Sequence, residues 1–580
     1  MTILPVNDRG EHNDWRGFYM TIIKKIKTLS FAECALFVSL FFVGIFHVYL
    51  SCALSIALLI RLWMRNRKTK RLTVPLNMTM LAILVLVLGY AVASLWAIDS
   101  GAAIFGFFKF LPLALYSLEL TQEPDGREAT IRHLPYLVTV MTVLSIGCMY
   151  IPSLESFFAV SGRLSGFIQY PNTFAVILLV AELLLLTKDH PRLWDYLCIS
   201  VLLFGILYTG SRTVFVLAGL TNVIALLITK NKKVRFIAFG CIALGIVLVL
   251  AYCLVTDNFA VLTRYLNIST AQSTFVGRLL YAQDALPVIL RNPFGLGYMG
   301  YYFIQQSIQT GVYAVMFIHN DFLQILLDVG WIPFLVFAAA IVMTLIDRGI
   351  PTRYKLIVVT VLLHACLDFD LQYVAVFMML LLFMQPKTLK TVTLKKSRSV
   401  TPAISIVLIC LCLYAGTVQT LTRFELYDVA RVIYNHDTVG DIEQLKEITD
   451  TAEAEEVADR ILKRNSHVSV AYSVKARAAY AKGDFANVIK YKTLAIQKAP
   501  FSHVEYWEYG RMLVNGIKLY EKAGDQNSAD ICKRELLALS ELLPAQKNRL
   551  SERGAAIVTQ PKLFFPSDLK QEIDALKEGG

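Results

Sequence analysis

Four stretches of the chain concentrate side chains able to do chemistry: SGRLSGFIQYPNTFAVIL (161–178), YTGSRTVFVLAGL (208–220), VGRLLYAQDALPVILRNPFGLGYMGYYF (276–303) and FIHNDFLQILLDVGWIPFLVF (317–337). They supply Arg163, Arg212, Arg278 and Arg291, and a His319-Asn320-Asp321 triplet directly before an apolar run. A planar guanidinium presents paired donors and so captures phosphate or carboxylate bidentately. A histidine, with an unperturbed pKa of about 6.5, is suited to take a proton from a hydroxyl at neutral pH. Each also has a plainer use: arginines anchor helix ends by snorkelling, and His319 caps a helix or hydrogen-bonds at an interface. Asn320 and Asp321 either set the His319 tautomer or cap the following helix, capping being the expected role of Asp321.

Secondary candidates follow. LLHACLDFDLQ (362–372) carries His364, Asp368 and Asp370. Either aspartate can orient His319 or bind an acceptor, and a solvated hairpin tip is an equal alternative. Lys109, in GFFKFLPLAL, is an ionisable group inside an apolar run, which marks function by default, although snorkelling accounts for it nearly as well. Gly295, Gly297 and Gly300 in NPFGLGYMG are spaced like a phosphate cradle, but no strand precedes them and no Lys-Ser/Thr follows, which excludes a nucleotide site. With Tyr298, Tyr301 and Tyr302 the segment reads as a turn with aromatics at an interface, a surface for stacking sugars.

The elements that must position these groups are membrane helices. The chain has 580 residues, 56% hydrophobic and 17% charged, and its mean hydropathy of +0.55 is foreign to a soluble protein of this size. Apolar runs able to cross a hydrocarbon layer of about 30 Å recur from Phe31 to about Thr420. Expected spans are 31–46, 47–63, 74–96, 102–119, 133–151, 167–187, 193–209, 212–229, 234–255, 319–346, 354–368, 371–385 and 401–420, about thirteen in all. The basic clusters RNRKTKR (65–71), TKNKKVR (229–235), DRGIPTRYK (347–355) and KTLKTVTLKKSR (387–398) then fall on one side, as cytoplasmic loops require. The net charge of +12 is therefore a topology signal, and no nucleic-acid partner is expected. The polar N-terminus leads through Lys24, Lys25 and Lys27 into the first span, so no cleavable signal peptide is expected. Nine of ten cysteines lie in apolar runs, which is neither a disulfide framework nor metal-site spacing.

This threading carries a second regularity. The outer loops of the membrane part hold five arginines (Arg163, Arg212, Arg264, Arg278, Arg291) and no lysine. The expected domains are a cytoplasmic N-terminus (1–30), a membrane domain (31–420) with a large outer loop (256–318), and an extracytoplasmic tail (421–580).

The order and spacing of the four stretches resemble the O-antigen ligase and polymerase superfamily of bacterial membrane proteins, which includes Wzy-type polymerases and protein O-oligosaccharyltransferases. The resemblance covers about residues 75 to 385. It implies an all-α polytopic bundle of the GT-C type acting as an inverting glycosyltransferase without nucleotide sugar, metal or other cofactor. The donor would be a glycan on polyprenyl (undecaprenyl) diphosphate, the acceptor a glycan, lipid or protein hydroxyl, and the place the outer side of the bacterial cytoplasmic membrane. By motif, Arg163, Arg212 and Arg278 would engage the diphosphate and His319 would lie beside the reacting centre; Arg291 joins them as a candidate from the arginine-only exterior. His319, Arg212 and Arg278 form the expected catalytic set. Fixed cations stabilise a departing diphosphate near hydrocarbon far better than in water. Ligase is the leading reading and polymerase the alternative. A transporter or flippase of lipid-linked sugars is a third, but transporters place polar groups near the midplane and here they crowd one face. A non-catalytic scaffold for glycan assembly is the last.

The tail reads as helical repeats. Within 469–500, Tyr472, Ala476, Gly483, Asp484, Ala495 and Pro500 occupy tetratricopeptide-like positions with a period near 34, departing at Lys492, where an aromatic is usual. Weaker copies flank it at 435–466 and 503–544. Such stacks build a concave surface, suited to an acceptor, a polymer or cell-envelope assembly proteins; the alternative is stabilisation of the outer loops.

Overall fold

The computed structural model describes residues 29–229, 273–386, 390–394 and 397–578, with scattered positions between 235 and 265. The N-terminal segment to residue 28, much of the expected 234–255 span and Arg264 lie outside the described residues. The described chain is overwhelmingly helical, and its β-structure is two short antiparallel pairs, Leu72–Pro75 with Thr391–Leu394 and Ala159–Val160 with Arg163–Leu164.

Among the described residues four helices are long and apolar enough to cross a membrane: Val48–Thr69, Ser100–Gln122, Pro124–Met149 and Thr401–Arg423. Seven further apolar helices run 10 to 17 residues. They divide by burial rather than by composition. In Pro171–Leu186 every residue except Asn172 is buried, and Val374–Phe383 is buried throughout. Both helices are apolar all round because they face protein on every side. Thr401–Arg423 is equally apolar, yet only 22% of its apolar window is buried, and Ile404, Val407, Leu411 and Leu413 face outward. A helix that apolar needs hydrocarbon around it, and the protein is an integral membrane protein.

The expected 319–346 span is not one helix. It divides into Asp321–Val329 and Trp331–Ile346 at Gly330, whose φ is 78°. The turn 292–297 docks into this break: Leu296 N donates to Leu327 O (2.6 Å), Gly297 N to Asp328 O (3.0 Å) and Trp331 N to Pro293 O (2.9 Å). A Cβ on Gly330 would meet Pro293 O at 2.3 Å, and one on Gly295 would meet Asp328 O at 2.6 Å. These glycines therefore let two backbones touch. The tyrosines beside them are also placed otherwise than expected: Tyr298 and Tyr301 are buried in protein instead of lining an interface.

The strand pair Leu72–Pro75/Thr391–Leu394 brings the end of the 65–71 basic cluster and Lys390 to one end of the bundle, where Thr73 N donates to Gln122 Oε1. The tail sits at the opposite end. Tyr434 Oη donates to Gly101 O (2.9 Å), Asn465 Nδ2 to Asp99 Oδ2 (3.4 Å), and Ser551 N to Thr310 O (3.0 Å).

Within the tail, Ser469–Ala481 and Phe485–Lys498 form a hairpin closed by Gly483 (φ 70°) and by Asp484, which caps Asn487 N. His503–Ala523 and Gln526–Ala545 repeat the device with Gly524 (φ 76°) and Asp525. The two hairpins begin 34 residues apart, at Ser469 and His503, but the first helix of the second has 21 residues against 13, so its closing glycine comes 41 residues after that of the first. Lys492, in the usual aromatic place, is fully buried, and its ammonium is paired with Glu505 (2.7 Å) and Glu508.

Candidate functional site

The His319-Asn320-Asp321 triplet lies in the connection entering the Asp321–Val329 helix, and its role divides residue by residue. Asn320, not Asp321, caps the helix: its Oδ1 accepts from Leu323 N (3.0 Å) and its Nδ2 donates to Cys366 O (2.8 Å). Asp321 is the first helical residue and accepts from Leu371 N (2.8 Å), because its side chain points across to the 366–373 turn. Both polar neighbours thus tie the loop to that turn. His319 is held between them, its ring 5.0 Å from that of Phe369 and 5.6 Å from that of Tyr281. Its Nδ1 is buried and has no hydrogen-bond partner among the described residues.

The 366–373 turn is no solvated tip. Asp368, Asp370 and His364 are fully buried. Asp368 accepts from Tyr170 Oη (2.9 Å), Asn172 Nδ2 (2.8 Å) and Arg278 Nη2 (2.9 Å). Asn172 passes the contact on, its Oδ1 accepting from Arg163 Nη2 (2.7 Å) while Arg163 Nε donates to Thr209 O (2.8 Å). Arg278 Nη1 reaches Thr213 Oγ1 at 3.4 Å. One buried carboxylate therefore orients two guanidiniums, one directly and one through an amide. A buried carboxylate is stable only with such paired, charge-assisted donors.

Arg212 opens the helix Arg212–Ile228 immediately before Thr213, on the segment that meets both Arg163 and Arg278. Asp370 belongs to a neighbouring cluster, accepting from Thr173 Oγ1 (2.7 Å) and bonding His364 Nδ1. The structure thus gathers Arg163, Arg278, His319, Asp368 and Asp370, with Asn320 as a structural tie. Arg291 does not join: it is exposed at the far end of the Ser273–Arg291 helix, thirteen residues beyond Arg278, or about 20 Å along the axis. Lys109 does not snorkel. It is 1% exposed and its ammonium lies 4.7 Å from the ring of Phe317, two residues before His319.

Sequence reasoning passed over Tyr170, Asn172 and Thr173 as members. A signal existed: Tyr170 and Asn172 bracket Pro171, the first residue of a helix otherwise without polar residues until Glu182 apart from Thr173. Polar groups at the mouth of a buried apolar helix have to be satisfied there. Among the described residues no group of three or more His, Cys, Asp or Glu side chains converges as a metal site does.

Residues 197–338 match the family model described as O-antigen ligase. That segment holds Arg212, Arg278, Arg291, His319 and Asn320, while Arg163, Asp368, Asp370 and Lys109 lie outside it. No curated protein and no solved structure matches the chain.

Proposed function

The chain belongs to the O-antigen ligase/Wzy superfamily through residues 197–338, and we propose that it transfers a glycan from a polyprenyl diphosphate, normally undecaprenyl diphosphate, to an acceptor hydroxyl on the outer side of the bacterial cytoplasmic membrane, as a ligase. The observation that carries this reading is the convergence of Arg163 and Arg278 on buried Asp368 beside His319. In the reaction the acceptor oxygen attacks the anomeric carbon, the bond from that carbon to the diphosphate oxygen breaks with inversion, and the diphosphate leaves with the electron pair. Arg278 and Arg163, with Arg212 beside them, stabilise that charge in a site largely closed to water. His319 takes the acceptor proton through its unpartnered ring nitrogen. Asp368 is a positioning residue, since it reaches the reacting groups through the arginines. The tail packs on the same end as the site, which supports a binding surface for acceptor, polymer or assembly proteins, and an extracytoplasmic location for residues 421–580.

The test is transfer in vitro by the purified full chain, with a polyprenyl-diphosphate glycan and candidate acceptors. Product with a separate acceptor and wild-type protein, lost with Arg278→Ala and His319→Ala, supports the ligase. Elongation of the lipid-linked glycan itself marks a polymerase. Undiminished transfer by both variants removes them from the mechanism, and movement of donor across vesicles without transfer supports a flippase. A reporter enzyme active only outside the cytoplasm, fused after Gly580, is expected to be active; activity of a cytoplasmic reporter alone would reverse the topology.

A further inference from the structure

A cavity of about 380 Å³ lies between the membrane domain and the beginning of the tail, next to the site described above. Lys109 lines it, 1% exposed. Its Nζ is 3.3 Å from Tyr298 Oη and 4.7 Å from the ring centroids of both Phe46 and Phe317. An ammonium carries three donors, and among the described residues Tyr298 Oη is its one hydrogen-bond partner and no carboxylate pairs with it. Aromatic rings and the more distant charges of Asp321 and Asp328 stabilise the cation, but two of its donors stay unmet among the described residues, and an anion would complete the site. Across the cavity stand Gln419, Thr422, Arg423, Asp437 and Glu443, where the last apolar helix enters the tail.

We propose that this cavity is the acceptor subsite and takes an acidic saccharide, with one carboxylate or phosphate on Lys109. The proposal rests on the glycan-transfer reading. Three aromatic rings around a polar rim suit a sugar, whose C–H faces pack on rings while its hydroxyls bond the rim. The arginines gathered at Asp368 already provide for the donor diphosphate, which leaves this cavity to the acceptor. Phe317 joins the two places: its ring lies 6.2 Å from that of Phe369, which contacts His319. A saccharide seated against Lys109 therefore presents its end to the base.

Binding is measured on the purified full chain in phosphatidylcholine nanodiscs, which bring no anionic lipid. The probes are a galacturonic acid trimer, its carboxyl-reduced neutral counterpart, and galactose 6-phosphate. At least one acidic probe is expected to bind ten times or more tightly than the neutral trimer. Lys109→Met, close in volume, is expected to remove that preference while leaving neutral binding and the melting temperature unchanged. Equal binding of acidic and neutral trimers by the wild-type protein, with no binding of galactose 6-phosphate, overturns the proposal without any variant. So does an unchanged preference in Lys109→Met, or displacement of the acidic probes by phosphatidylglycerol at equal concentration. His319→Ala is expected to bind the acidic probe normally. Absence of transfer by the wild-type protein with preserved Lys109-dependent binding marks a failure of the transfer reading alone, and transfer without that binding preference marks a failure of this one.

Discussion

Asp368 in the membrane domain and Lys492 in the tail are both buried charges, and their partners differ in what they leave available. Lys492 is 0% exposed and consumes its ammonium on Glu505 and Glu508, the latter also held by Arg477, so the cluster is closed on itself. Asp368 is also 0% exposed, but it is the acceptor, and the cations it holds stand at the edge: Arg278 keeps 14% exposure and spends two of its five N–H groups on Thr213 and Asp368. A buried cation ringed by acids fills a place in a core. A buried acid ringed by cations aims them outward, which is how a protein presents charge to an anion it does not contain.

Substitutions that break this contrast rank by expected effect. Arg278→Ala is expected to lower kcat for transfer by ~10²–10³-fold, the cost of removing one donor from a developing anion, and also to lower the melting temperature, because buried Asp368 keeps only Tyr170 and Asn172 as donors. Asp368→Asn keeps shape but releases both arginines, and is expected to lower kcat by up to ~10²-fold, as misplacement by about an ångström does; Arg278→Ala/Asp368→Asn should then cost less than the sum of the two. In the tail the order reverses. Lys492→Ala is expected to lose ~3–5 kcal/mol of stability, because it leaves the carboxylates of a buried pair uncompensated. Lys492→Phe restores the volume of the aromatic usual in such repeats but leaves the same carboxylates unpaired, and is expected to remain destabilising while transfer per folded molecule stays at the wild-type rate. Protease resistance of the 469–545 helices and turnover per folded molecule read the two quantities separately.

The smallest expected effect is on pH. Burial pushes the Glu508 carboxyl up, but the hydrogen bond from Arg477 and the charge of Lys492 outweigh burial and hold it below the usual glutamate range. A carboxyl lowered in the folded state contributes fully above its unfolded value, near ~4.3, and loses that contribution as pH falls through the folded value. The contribution of Glu508 to tail melting should therefore be flat above about pH 5.5 and fall below ~4.3. The fall should be shallower in Lys492→Phe, where one of the cations that lower Glu508 is gone.

Arg212 and His319 were legible because they stand where apolar helices begin, so that a charged or titratable residue breaks the run beside it. Asp368 was not, since a hairpin tip and a buried hub look identical when partners come from Tyr170 and Arg278, 198 and 90 residues away. Two adjacent residues able to cap, Asn320 and Asp321, likewise differ only in where the 366–373 turn lies. The break at Gly330 is invisible to hydropathy, which counts apolar residues and not dihedral angles. Arg291 shares the composition signal of Arg278 and lacks its position, because a helix separates them.

Sequence alone determined that the protein is a helical membrane protein with a polar helical tail. Those properties are sums over neighbouring residues, and no long-range contact is needed to read them. Only the tertiary structure decided which arginines converge, that Asp368 is the acid that aims them, and that Lys109 faces a chamber instead of snorkelling to an interface. Each depends on desolvation by segments remote in the chain, and burial of a charge is a property of the whole fold.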